Sequence, residues 1–143
     1  MDPHYEDFFG LICEDKLGEG EYRSVYSCRV DPTLVVKVES DRRGWRSFAN
    51  VKEHAVWWEW QNKPAVARWL APCTQLSPGG LFLLQRRAQP LPSGFQLPAE
   101  LPAFLTDLKP SNFGLIDDQL VCLDYAFVNM SLPTRLRKVE WNT

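Results

Sequence analysis

The apolar positions along the chain change period twice, and each change marks a new kind of element. Residues 11–17 lead into Gly18-Glu19-Gly20, residues 24–30 follow as a β-favouring stretch, and Asp31-Pro32-Thr33 turns the chain into residues 34–38. Three antiparallel strands are expected there. Over residues 45–62 the repeat is helical, with Phe48, Val51, Ala55 and Trp58 on one side and a second apolar stripe made by Ala49, Val56, Trp57 and Trp60. At about 100° per residue, Glu53 falls in the middle of that second stripe. Pro64 then acts as a stop signal. Residues 74–76 and 81–85 flank Ser77-Pro78-Gly79-Gly80 and read as a hairpin, which brings the expected sheet to five strands.

Beyond this point the punctuation is denser. Prolines at 90, 92, 98 and 102 mark a linker-like crossing with little room for regular structure, followed by a short helix at most. Residues 113–116 and 119–123 flank Asp117-Asp118 as a second small hairpin, and the residues up to Thr143 are expected to form one short helix. No internal repeat or low-complexity block interrupts the 143 residues, a length suited to one domain.

Composition narrows the partners. With 16 basic and 18 acidic residues the formal charge is -2, which offers no field for gripping a phosphate backbone or an anionic membrane, so no nucleic acid and no membrane are expected. Cys13, Cys28, Cys73 and Cys122 are scattered without a C-x-x-C pair and read as reduced thiols of a cytoplasmic protein. The acidic start lacks the basic and apolar regions of a signal peptide. Six tryptophans supply bulk to a small core.

Five segments carry candidate chemistry. Gly18-Glu19-Gly20-Glu21-Tyr22-Arg23-Ser24-Val25 puts small residues at a strand end, where a backbone can approach phosphate closely or simply turn. Val35-Val36-Lys37-Val38 sets a lysine in an apolar strand, facing either solvent or a buried partner. A carboxylate at Glu53, on its apolar stripe, needs a cation, and Lys37 is the natural one; the alternatives are that Glu53 reaches the edge of the stripe and stays wet, or that Glu59 pairs instead. Thr106-Asp107-Leu108-Lys109-Pro110-Ser111-Asn112 places polar groups around a proline turn, and Asp124 follows a buried-looking strand, where a magnesium ion would offset the cost of an isolated carboxylate.

In order and spacing these segments resemble the protein kinases, over roughly residues 11–127. They match the glycine-rich loop, the lysine strand, the helix glutamate, the D-L-x-x-x-N catalytic loop and, at Asp124-Tyr125-Ala126, the D-F-G position. Trp69-Leu70-Ala71-Pro72 and Leu83-Leu84-Gln85-Arg86-Arg87-Ala88 are similar to segments of very small kinase-like proteins from bacteriophages and bacterial effectors. The resemblance implies an α+β, protein-kinase-like fold: a five-stranded antiparallel N-lobe with one helix, reaching the hinge at residues 1–88, and a strongly reduced C-lobe at 89–143. It implies ATP and Mg²⁺ as cofactors, with Gly18, Gly20, Val25, Lys37 and the hinge residues Gln85, Arg86, Arg87 and Ala88 around the nucleotide. Asp107 would orient the acceptor hydroxyl and take its proton, Lys109 would neutralise the transferring phosphoryl group, Lys37 with Glu53 would hold phosphates, and Asn112 and Asp124 would hold the metal.

The departures shape the functional expectation. Arg23 stands at the third glycine, Ala126 at the D-F-G glycine, and Leu105-Thr106 where His-Arg would precede Asp107; only 19 residues follow Asp124. The implied protein is a minimal, constitutively active kinase that phosphorylates a protein substrate, possibly a host protein, on serine or threonine. The alternatives are a nucleotide-binding pseudokinase or non-enzymatic protein that masks a host factor, and a small-molecule phosphotransferase.

Overall fold

A computed structural model of the chain describes residues 3–40, 47–131 and 133–142. Its secondary structure is α+β and is built on one five-stranded antiparallel sheet. The strands are β1 (Cys13–Glu19), β2 (Arg23–Cys28), β3 (Leu34–Glu39), β4 (Cys73–Leu76) and β5 (Phe82–Arg86), in the order β1-β2-β3-β5-β4.

Strand period gives this sheet two unlike faces. Tyr26 and Cys28 of β2, Val36 and Val38 of β3 and Phe82 and Leu84 of β5 fall on one face and join an apolar cluster with Ile12 and Cys13. That face is covered by α1 (Pro3–Ile12), which sets Tyr5 5.4 Å and Phe8 4.8 Å from the Phe82 ring and Phe9 5.1 Å from Tyr26. The alternate positions, Arg23, Val25, Val35, Lys37, Glu39 and Gln85, turn the other way. Most of these are polar, yet Arg23, Lys37, Glu39 and Gln85 are all buried.

The helix α2 (Ala49–Trp60) lies on this second side and is followed by α3 (Pro64–Ala67). Residues 45 and 46 of the expected helix lie outside the described residues. The start of α2 is fixed by Glu39, whose carboxylate accepts the Asn50 N–H at 2.9 Å and the Ser47 hydroxyl at 3.0 Å. A negative charge at a helix N-terminus is favourable, and here it ties α2 to the end of β3.

The chain differs from the sequence reading in three places. Among the described residues the single helix expected beside the sheet is joined by α1 and α3; α1 forms because Tyr5, Phe8, Phe9 and Ile12 repeat at helical spacing, and β1 begins only at Cys13. The proline-rich crossing contains a short strand, β6 (Glu100–Pro102). The expected C-terminal helix is instead a strand that pairs with it antiparallel, Leu136–Lys138. An apolar helical repeat is absent there, so pairing with β6 decides the conformation, and Arg137 and Trp141 donate to the carbonyls of Leu105 and Pro98.

Between these two strands run β7 (Phe113–Ile116) and β8 (Gln119–Cys122), the hairpin expected around Asp117-Asp118. Both aspartates have positive φ, 50° and 63°, as a tight two-residue hairpin turn requires. With these strands placed, Leu136–Lys138 becomes β9. A second core of Leu70, Leu83, Phe104, Leu105, Phe113, Cys122 and Tyr125 joins the sheet to this half of the chain. Two bridges stitch the halves: Gln89 and Leu115 exchange backbone hydrogen bonds of 2.7 and 2.8 Å, and Leu70 pairs with Cys122. All four cysteines are buried free thiols. Among the described residues no helix is long and apolar enough to cross a membrane.

At the first bridge a side chain on Gly114 would come within 2.7 Å of the Ala88 Cβ and 2.8 Å of the Gln89 carbonyl oxygen. Gly114→Ala is expected to cost ~2 kcal/mol by overpacking, and Ala88→Gly in the same chain to restore only part, because the Gln89 backbone stays in place. Urea denaturation of the two variants checks this; wild-type stability in Gly114→Ala would mean that the two segments are not in contact.

Candidate functional site

A cavity of about 750 Å³ opens between the second face of the sheet and the β7–β8 half of the chain. Its roof is the β1–β2 turn, closed by a 2.8 Å hydrogen bond from the Gly20 N–H to the Arg23 carbonyl. Val25, Val35 and Lys37 form one wall, residues 85–91 form the back, and Asn112, Leu123 and Asp124 line the opposite side.

Behind the wall sits a network of buried charges. Glu53 has no exposed surface. Its Oε1 accepts from Lys37 Nζ at 2.5 Å, Arg23 Nη1 at 3.1 Å and Gln85 Nε2 at 3.1 Å, and its Oε2 from Arg23 Nη2 at 3.0 Å and the Tyr125 N–H at 2.8 Å. Lys37 also donates to the Leu123 carbonyl. Arg23, only 6% exposed, reaches Asn50 Oδ1 at 3.1 Å and Asp124 Oδ1 at 2.8 Å as well. Burial pushes the Glu53 carboxyl upward, but the charges of Lys37 and Arg23 and their hydrogen bonds outweigh it and hold the group down at about 2.

Tyr125 fixes the segment after Asp124. Its ring is buried, its hydroxyl donates to the Ala71 carbonyl at 2.6 Å, and Cys73 Sγ lies 3.3 Å away. Burial accordingly pushes its phenol well above the ordinary value.

Gly18, Gly20, Val25, Lys37, Gln85, Arg86, Arg87, Ala88, Asn112 and Asp124 all line the cavity, with Glu53 directly behind Lys37. Within the back wall the residues differ. The Gln85 side chain is buried against Glu53, while the N–H groups of Arg86, Arg87 and Gln89 are taken by Pro72, Thr33 and Leu115. Among the described residues no backbone acceptor takes the N–H of Ala88. Asp107 and Lys109 stand outside the lining and are exposed, 3.6 Å apart, while the next three residues, Pro110, Ser111 and Asn112, do line the cavity, and Asn112 Nδ2 donates to the Asp107 carbonyl at 3.4 Å.

Sequence reasoning treated Arg23 only as a departure from a glycine pattern and did not single out Asn50. The signal for both was periodicity: Arg23 alternates with Val25 toward the face that carries Lys37, and Asn50 is one helical turn before Glu53.

The Asp124 carboxylate, whose Oδ1 accepts from Arg23, and the Asn112 amide oxygen, whose nitrogen is turned to the Asp107 and Asp124 carbonyls, are the oxygen donors that could take a divalent cation here. Among the described residues no group of three or more His, Cys, Asp or Glu is placed to hold a metal. So few protein donors suit a Mg²⁺ that keeps most of its water ligands rather than an all-protein cage. No protein-family model matches the chain, and no curated protein matches its sequence.

The network predicts an acid limit. Since the Glu53 carboxyl lies below its ordinary 4.5, its ionised form stabilises the fold fully above that value, and the contribution, ~3 kcal/mol, is lost as pH falls toward the folded value. Carboxyl-carbon NMR should find one glutamate still ionised at about pH 3 while the urea midpoint is already falling. Titration of every glutamate near its ordinary value would contradict the network.

Proposed function

We propose that the cavity binds Mg·ATP and passes the γ-phosphoryl group to a hydroxyl of a protein substrate. The observation that carries this reading is the buried Lys37–Glu53 pair set across one cavity from Asn112 and Asp124. Two of the three Lys37 N–H groups are engaged by Glu53 and Leu123, which leaves the third for a phosphate oxygen. The Ala88 N–H, which meets no backbone acceptor among the described residues, suits with the carbonyls beside it the hydrogen-bonding edge of adenine, and Val25 and Val35 supply an apolar wall for its ring.

Asn112 and Asp124 are the residues that would hold Mg²⁺, whose charge would offset that of the phosphates. Asp107, exposed on its loop, accepts the proton as the substrate oxygen attacks γ-phosphorus; the bond to the β-phosphate oxygen breaks and ADP leaves. Lys109 beside it supplies positive charge, and the Lys109-Pro110 sequence favours serine or threonine as acceptor. The missing arginine before Asp107 favours activity without phosphorylation of the chain itself. A second reading, nucleotide binding without transfer, is favoured by one observation: Asp107 and Lys109 pair with each other outside the cavity lining.

Incubation with γ-labelled or α-labelled ATP, Mg²⁺ and a cell lysate separates the readings: label from the γ position alone supports transfer, label from the α position means nucleotidyl transfer, and none favours binding. Asp107→Asn is expected to keep Mg·ATP affinity while slowing transfer by roughly 10²-fold or more. Asp124→Asn should weaken both, measured by calorimetric titration beside the transfer assay. Full transfer by Asp107→Asn would remove the catalytic assignment.

A further inference from the structure

The network contains one more cation than the Lys37–Glu53 pair needs. Arg23 and Lys37 carry two positive charges, and Glu53 and Asp124 carry two negative ones, so the charges of these four groups sum to zero. Without Arg23 the same group would hold a net negative charge at the cavity wall, an attraction for any free cation.

The four hydrogen bonds of Arg23 are not equivalent. Two run to Glu53, which is fully buried, and one to Asn50, whose own amide nitrogen lies 3.0 to 3.1 Å from the carbonyls of Lys37, Gly80 and Leu81. These three hold the planar guanidinium on α2 whatever happens at the cavity. The fourth goes to Asp124, whose side chain is 58% exposed. Breaking that one bond leaves Arg23 still paired, so the exchange has a low cost. A second contact joins the same two segments: Tyr22, at the tip of the β1–β2 turn, lies 5.2 Å from the ring of Phe127, three residues after Asp124.

We propose that Arg23 is an internal counter-ion that occupies Asp124 in the cation-free protein, and that a divalent cation entering the cavity takes Asp124 from it. Cation binding is thereby coupled to release of the start of β2 from Asp124. Arg23 is a positioning residue in this scheme, since it touches neither substrate nor cation. The inference rests on the reading above in one respect, that Asp124 is a ligand of the cation.

The test titrates Mn²⁺ alone, without nucleotide, into the wild type, Arg23→Lys, Asp124→Asn and the double variant, following free Mn²⁺ by paramagnetic resonance. Lysine keeps the charge that Glu53 needs but cannot span both carboxylates, so Arg23→Lys is expected to bind Mn²⁺ about tenfold more tightly than wild type. Adding Asp124→Asn should abolish the gain. A measurement on the unaltered protein runs beside it: the side-chain nitrogen resonances of Arg23 should shift as Mg²⁺ is added. Equal Mn²⁺ affinity in wild type and Arg23→Lys, with Asp124→Asn removing binding from both, would overturn the counter-ion role and leave Asp124 as the ligand. Mn²⁺ binding indifferent to Asp124→Asn in every background would overturn both. If Arg23→Lys does not fold, the wild-type resonances decide, and no Mg²⁺-dependent shift overturns the proposal.

Discussion

An ionised carboxylate with no exposed surface is tolerable only when its oxygens are saturated by donors, and Glu53 is the group on which this fold converges. Its five hydrogen bonds come from β2, β3, β5 and the backbone after Asp124, while the carboxylate itself rides on α2. No two of these elements can drift apart without uncovering a charge. Removing one partner from such a cluster typically costs several kcal/mol, more than any single apolar contact at the same place. The position of the helix against the sheet, and of Asp124 against both, is therefore set by electrostatics as much as by packing.

The two-faced sheet makes this possible. One face is closed by aromatic and aliphatic contacts with α1 and supplies ordinary apolar burial. The opposite face is then free to carry Arg23, Lys37, Glu39 and Gln85, each neutralised or hydrogen-bonded by α2 or by its neighbours. Glu39 and Glu53 act at two points along the same helix, one at its N-terminus and one a turn further on, so α2 is pinned in both rotation and axial position.

How much of this was legible follows from which interactions are local. A glutamate centred on an apolar stripe demands a cation, and Lys37 in its apolar strand is the nearest candidate; spacing leaves Glu59 as a rival partner and a wet edge for Glu53 as another option, and the structure selects the Lys37–Glu53 pair. Asp117-Asp118 between two short apolar runs likewise announced a hairpin. The spacing of Tyr5, Phe8, Phe9 and Ile12 carries the signal for α1, but the strand signal that follows it masks the boundary between the two. The pairing of β6 with β9 joins residues far apart in sequence through backbone groups, which leave little imprint on side-chain pattern. Arg23 was hidden for another reason: its meaning depends on Asp124, 101 residues away, and a local motif presents it only as a missing glycine.

Ionic strength sorts the charges of this protein by depth. Pairs at the surface, such as Lys16 with Glu19 and Arg86 with Asp117, are bathed in counter-ions, and a Debye length of about 8 Å at physiological salt leaves them little to contribute. Glu53 has no exposed surface for mobile ions to reach, so the attraction of Lys37 and Arg23 is screened far less in concentrated salt. The part of the molecule richest in charge is thus the part that behaves least like an electrolyte, and its cohesion persists where surface ion pairs dissolve.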